Sequence, residues 1–196
     1  LLEINHTMEG TGLDLEAADR FIRERIGQCR NYLVSLDEVM ASGYVDKSNI
    51  LLAAREILAS VGEAHSAFNS VNILKQHRIN ALFVDLCGFN DTAYLTIDER
   101  IERAFSGLDY SSTIPVVTGY TKGTEGIMRE FDRGYSEVTF SKIAVKVKAT
   151  EAVIHKEYHL SSADPAIVGV ENSRPVGSTN YNVADQLADI GMEAIH

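Results

Sequence analysis

Long apolar runs are missing from this sequence of 196 residues. None approaches the ~20 residues that a helix needs to cross a bilayer, so no membrane span is expected. The opening Leu1-Leu2-Glu3-Ile4 has neither the basic stretch nor the cleavage pattern of a secretory signal. It also lacks an initiator methionine, which predicts a natural N-terminus further upstream. Basic residues are in deficit, 18 Lys and Arg against 28 Asp and Glu, for a formal net charge of -10. Nucleic acid is therefore not an expected partner, because phosphate backbones are gripped by clustered cations. A nucleotide ligand stays open, since backbone amides and a bound magnesium ion hold phosphates in acidic proteins as well. Only two cysteines occur, Cys29 and Cys87, far apart and in apolar settings. Without a Cys-x-x-Cys spacing they read as buried thiols in a reducing compartment, by default the cytoplasm. No internal repeat, low-complexity tract or linker marks a second domain.

What is present suits one sizeable α/β domain: 45% of the residues are hydrophobic and 23% charged. Leu15, Ala18, Ile22, Cys29, Leu33 and Leu36 recur at helical spacing, predicting a helix from Asp14 towards Met40 that Gly43 ends. Asp46 is placed to cap a second helix running to about Ser60. A third is predicted to begin near Glu63, with Ala64, Ala67, Phe68, Val71 and Leu74 on one face. The apolar run 81–86 then reads as a buried strand, and Thr96-Ile97-Asp98-Glu99 as a capping box opening a helix to Phe105. Ile114-Pro115-Val116-Val117-Thr118 is a second strand, with Pro115 near its start. A helix from about Ser136 to Lys148 and a third strand at Ala152-Val153-Ile154 follow. Alternating helices and strands imply a mostly parallel sheet with helices on its faces.

Ligands collect at the carboxyl ends of strands in such sheets, which directs attention to the loop after Val117. Gly119, Gly123 and Gly126 there let backbone amides approach a ligand closely, although a flexible surface loop explains them too. Arg133-Gly134-Tyr135-Ser136-Glu137 leads into the next helix, with Arg133, Ser136 and Glu137 on one side of its entrance. An arginine fork, a serine hydroxyl and a helix N-terminus together suit a carboxylate ligand. The alternative is that Ser136 merely caps the helix and Arg133 pairs with a neighbouring acid. Ser60-Val61-Gly62-Glu63 has the Ser-x-x-Glu form of a capping box, which by itself explains both residues. His155 and His159 lie four apart, but no third ligand of matching spacing accompanies them, so no metal site is expected. Asp164-Pro165 favours a turn.

In this order and spacing, the segments resemble the aspartate kinases of the amino acid kinase family. Gly119-Tyr120 looks like that family's Gly-Phe loop, and Arg133-Gly134-Tyr135-Ser136-Glu137 like its Arg-Gly-Gly-Ser-Asp element. Val153 to Pro165 resembles its nucleotide loop ending in Ala-Asp-Pro, and Tyr181 to Ala184 its Tyr-x-x-Ala segment. Gly191 to His196 is similar to its Gly-Ala-Lys-Val-Leu-His, and Gly62-Glu63 to its Gly-Glu. The spelling of these elements is similar to a divergent branch, the aspartate kinases associated with ectoine biosynthesis.

The resemblance implies a three-layer αβα sandwich with a mostly parallel central sheet. It implies one catalytic domain over residues 1–196, incomplete at both ends and without C-terminal regulatory domains. It further implies transfer of the γ-phosphoryl group of ATP, with Mg2+, to the side-chain carboxylate of L-aspartate. Arg133 would clamp a carboxylate of the amino acid, with Gly134, Ser136 and Glu63 orienting it and Tyr120 walling the site. Glu137 would organise lysine and magnesium near the transferring phosphate. Gly119, His155, Lys156, Ser161 and Asp164 fall where the family holds the nucleotide. A homodimer is the expected assembly. A kinase acting on glutamate or acetylglutamate, and a binding module without catalysis, are the alternatives. Two departures favour the second of these for residues 1–196: the family's Lys-Phe-Gly-Gly element is absent, and Glu193 stands where it has a phosphate-side lysine. Weak or no turnover is therefore expected of this stretch alone.

Overall fold

The computed structural model describes residues 1–131, 134–155, 161–163 and 165–189. The chain divides into two compact units, Leu1–Val147 and Lys148–His196. The first begins with α1 (Leu2–Thr7), α2 (Leu15–Ser42) and α3 (Lys47–Gln76). It continues through β1 (Ala81–Val84), α4 (Ile97–Phe105), β2 (Ile114–Val117), α5 (Ile127–Phe131) and α6 (Tyr135–Lys146).

Helix α2 starts and stops where its sequence says. The Asp14 carboxylate accepts from the Ala17 amide, and Gly43, at φ 74°, takes the left-handed conformation that ends the helix. Asp46 caps α3 in the same way. That helix, however, does not stop at Ser60: it runs unbroken for 30 residues. The expected break before Glu63 is therefore corrected, and Ser60-Val61-Gly62-Glu63 is helix interior rather than a capping box. The physical reason lies in the apolar series, because Val61 and Ala64 are buried and carry the packed face straight through Gly62. Ser60 turns its hydroxyl back onto the Ile57 carbonyl, and the Glu63 side chain is left free for other work.

Helices α2 and α3 pack side by side and against the sheet. Phe21 and Phe68 stack with centroids 4.1 Å apart, and the ring of Phe83 from β1 stands edge-on to both. A buried polar knot ties α1 to this pair. Asn5, fully buried, donates to Asp19 and accepts from Asn69, with the His65 imidazole 2.6 Å from the same Asn5 oxygen. Burial holds His65 below the ordinary imidazole pKa, which favours the neutral ring.

Strands β1 and β2 pair in parallel, with Ala81 opposite Ile114 and Val84 opposite Val117. Both expected strands are thus present, each ending one or two residues early. Thr118 extends the ladder with its side chain, its Oγ1 accepting from the Leu86 amide at 3.0 Å. Between the strands, α4 opens on a complete capping box. Glu99 accepts from the Thr96 amide at 2.8 Å, while Thr96 Oγ1 accepts from the Glu99 amide at 3.2 Å. Thr96→Ala is expected to lower the stability of this unit by about 1 kcal/mol, read as a fall in thermal midpoint.

In the second unit lie α7 (Pro165–Val168), a short 3-10 turn (Val170–Asn172) and α8 (Tyr181–Asp189). Ser161 and Pro175 form an antiparallel bridge, which Ser162 and Arg174 reinforce. The expected third strand is corrected here: Ala152, Val153 and Ile154 are exposed and form no ladder. Apolar β-branched residues alone do not make a strand without a partner edge, and none of the described residues supplies one.

Candidate active site

The parallel pairing of β1 and β2 brings two loops together at the carboxyl ends of the strands. These are residues 85–96 after β1 and residues 118–126 after β2. The second is no loose surface loop. Thr118 and Thr121 are buried, and Thr118 Oγ1 donates to the Tyr120 carbonyl at 2.9 Å. Thr121 meets Thr139 of α6 at 3.0 Å, hydroxyl to hydroxyl. The Lys122 amide donates to the Leu86 carbonyl, and the Thr124 amide to the Leu95 carbonyl. Lys122 Nζ reaches back to the carbonyls of Gly88 and Asp91, while Arg100 holds the Lys122 carbonyl and the Asp91 carboxylate. Burial, with the charge of Arg100 beside it, depresses the Lys122 ammonium below the usual lysine pKa.

Helix α3 supplies the other wall. Its Glu63 carboxylate accepts from two sides at once: Oε1 from the Ser136 hydroxyl at 2.8 Å, and Oε2 from the Gly119 amide at 3.2 Å. One side chain thus joins α3, the loop after β2 and the first turn of α6. Two turns earlier on the same face, Glu56 Oε1 accepts from the Met128 amide at 2.9 Å. The Tyr120 ring is buried beside Glu56, and burial together with that carboxylate pushes its phenol well above the usual tyrosine range. Between α3 and the two loops opens a cavity of about 730 Å3, lined by Glu56, Ser60, Cys87, Asp91, Tyr120 and Lys122 among others.

The entrance of α6 carries the positive end of that helix. Gly134 is its N-cap, in the left-handed conformation at φ 81°, and no side chain caps the helix. Ser136 is therefore not the cap, because its hydroxyl is given to Glu63. The Glu137 amide turns back onto the Gly134 carbonyl at 3.0 Å, and a helix N-terminus of this kind favours negative charge. Glu63 can still receive an ammonium group there, since each carboxylate oxygen accepts more than one hydrogen bond.

Of the residues singled out in the sequence, Glu63, Gly119 and Ser136 are in direct contact, and Tyr120, Gly134 and Glu137 adjoin them. Gly119, expected on the nucleotide side, spends its amide on Glu63. Arg133, Lys156 and Asp164 lie outside the described residues, as does Glu193. His155 is exposed and Ser161 takes part in the Pro175 bridge, both in the second unit. Sequence reasoning passed over Glu56 and Tyr135. Glu56 stands seven residues before Glu63, a same-face spacing that shows only once α3 is read as one helix.

The family model for the amino acid kinase family matches residues 13–196. The chain is 49% identical over its 196 residues to the aspartate kinase Ask_Ect of Stutzerimonas stutzeri, of which it covers 41%. It is 29% identical over 157 residues, 71% of its own length, to an aspartokinase of Candida albicans, of which it covers 28%. The chain thus spans less than half the length of these curated relatives. No solved structure matches it.

Proposed function

Given that the chain belongs to the amino acid kinase family, we propose that the intact protein is an aspartate kinase. It moves the γ-phosphoryl group of ATP onto the side-chain carboxylate of L-aspartate, giving 4-phospho-L-aspartate. The observation that carries this reading is the Glu63 carboxylate, bracketed by Gly119 and Ser136 at the uncapped start of α6. On this reading Glu63 receives the ammonium group and the start of α6 the carboxylate, the two ends of an amino acid. Arg133 clamps the carboxylate in a forked contact, Ser136 adds a donor, and Tyr120 closes the wall. The resemblance of the second unit to the family's nucleotide loop assigns His155, Lys156, Ser161 and Asp164 to ATP.

Acyl phosphate formation of this kind is chiefly positioning and charge neutralisation. Magnesium supplies neutralisation of the phosphate oxygens when the nucleotide is bound, and Glu137, in the first turn of α6, is the residue assigned to organise it. The complete fold is read as a three-layer sandwich, of which β1 and β2 are two parallel strands. The setting is read as a cytoplasmic homodimer. No described helix is long and apolar enough to cross a membrane.

The reading is tested by incubating the intact protein with L-aspartate, ATP, magnesium and hydroxylamine. Aspartyl hydroxamate should form together with ADP. A hydroxamate from glutamate or acetylglutamate and none from aspartate would transfer the assignment to a sister kinase.

A further inference from the structure

We propose that the cavity between α3 and the two loops is a second small-molecule site, taking a compact carboxylate with an apolar body seated on Lys122. The cavity lies wholly in the first unit, and Glu63, Gly119 and Ser136 are not among its lining residues, so it is separate from the clamp. Ala53, Ile57, Phe89 and Leu95 give it apolar walls, and Lys122 stands among them as a half-buried cation. Apolar walls with a few fixed polar groups are the usual form of a small-molecule site. Lys122 is built into its place. Its Nζ donates to the Gly88 carbonyl at 3.2 Å and to the Asp91 carbonyl at 2.8 Å, which leaves one N–H of the ammonium group without a partner among the described residues. Gly88 sits at φ 63°, and a Cβ there would stand 2.7 Å from Lys122 Cδ and 3.1 Å from Arg100 Nη1. The loop thus closes directly on the lysine stem and holds it.

The charges around Lys122 are unbalanced in the positive direction. Arg100 donates to the Asp91 carboxylate at 2.8 Å, and Arg103 approaches the same oxygen at 3.8 Å. Lys122 takes only the Asp91 carbonyl, and no carboxylate of the described residues lies within ion-pair distance of its Nζ. Three cations therefore share one carboxylate, in a chain whose net charge is -10. Glu56, the other acid on the cavity wall, is committed elsewhere: its Oε1 accepts from the Met128 amide, and its Oε2 is shut away from solvent. Burial and the Arg100 charge both disfavour the Lys122 ammonium, and an arriving anion offsets both. A bare inorganic anion would leave the apolar walls in water, so the ligand that fits is a carboxylate carrying an apolar group.

The test is calorimetric titration of the intact protein with 3-phenylpropionate, beside its neutral counterpart 3-phenylpropionamide and the cation phenethylamine. The carboxylate should bind at least about tenfold more tightly than the amide, the worth of one hydrogen bond to a charged group. Lys122→Met, which keeps the stem and drops the charge, should lose the same margin. Ala53→Phe, which fills the cavity, should abolish binding, and saturating L-aspartate should leave the wild-type titration unchanged. No binding of 3-phenylpropionate to the wild type, equal binding of acid and amide, or unchanged affinity in Lys122→Met overturns the proposal. So does tighter binding of phenethylamine, which would move the recognised charge to Glu56. Displacement of the probe by L-aspartate overturns it as well, because the cavity would then belong to the acceptor site. Lys122 also staples its loop, so thermal melts establish that Lys122→Met folds. If it does not, Ala53→Phe, which leaves Lys122 in place, carries the test, and unchanged affinity there overturns the proposal. The hydroxamate assay is run without the probe, so its outcome bears on the kinase reading alone.

Discussion

Glu63→Ala is expected to lower kcat/KM for aspartate by about 10²- to 10³-fold, most of it as a rise in KM. The side chain holds the Gly119 amide and the Ser136 hydroxyl, and in the proposed complex also the substrate ammonium group. Its removal takes away a charge-assisted contact and leaves two partly buried donors without an acceptor, which costs about 1–3 kcal/mol for each such group. Glu63→Gln separates these effects. It keeps an oxygen acceptor and the side-chain volume but drops the charge, so stability should largely survive while aspartate binding still weakens. Steady-state kinetics over an aspartate series, run beside thermal melts, reads both. A KM for aspartate within about threefold of wild type in Glu63→Ala would remove Glu63 from the substrate contact, since a lost contact to a charged group is worth about 1.5–3 kcal/mol.

Gly119→Ala should do comparable damage through geometry alone. Gly119 is not held at a positive φ, so its backbone accepts a side chain without strain. The space does not. A methyl group there would stand 2.7 Å from both Glu63 Oε2 and Ser136 Oγ, and 2.8 Å from Ser136 Cβ. Glu63 or the start of α6 must move by several tenths of an ångström or more, and misplacement near 1 Å costs about 10²-fold in rate. Stability should fall by about 1–3 kcal/mol, the usual cost of overpacking. Gly62→Ala makes the contrast, since an added Cβ at Gly62 meets nothing within 4 Å and its backbone is ordinary helix. Alanine there should raise the melting temperature, by the 0.5–1 kcal/mol that glycine typically costs a helix interior. Opposite signs at the two glycines are the expected pattern. A Gly119→Ala protein with wild-type kinetics would show that the clamp tolerates displacement.

The helices and the pairing site were legible wherever a local signal had a local cause. Asp14 and Gly43 delimit α2, and Thr96 with Glu99 delimits α4, because capping is settled within four residues of the chain. The same local pattern misleads at Ser60-Val61-Gly62-Glu63. There the deciding term is packing of α3 against α2 and the sheet, which continues across the glycine and overrides the turn that serine and glycine suggest. The run at Ala152 to Ile154 fails for a related reason: strand formation depends on a partner edge that sequence does not display. The residues of the clamp could be picked out separately, by resemblance. What sequence did not convey is that a single carboxylate links them. That linkage follows from Glu63 lying inside a helix rather than at its end, with its side chain unspent on capping.

The unbroken course of α3 also governs where this protein can change length. Each residue added to a helix turns everything beyond it by ~100° and advances it by ~1.5 Å. Glu56 must meet Met128 while Glu63 meets Gly119 and Ser136, so one residue inserted between them would aim one carboxylate away from its partners. Even an insertion of seven residues, which restores the direction to within ~20°, would push the two carboxylates ~10 Å further apart along the axis. The interval from Glu56 to Glu63 is therefore fixed in count, as firmly as the spacing of teeth on a rack. Insertions and deletions belong instead in the turn after Gly43, or as matched additions to the end of α2 and to α3 before Glu56, where the hairpin can grow without disturbing the register of the clamp.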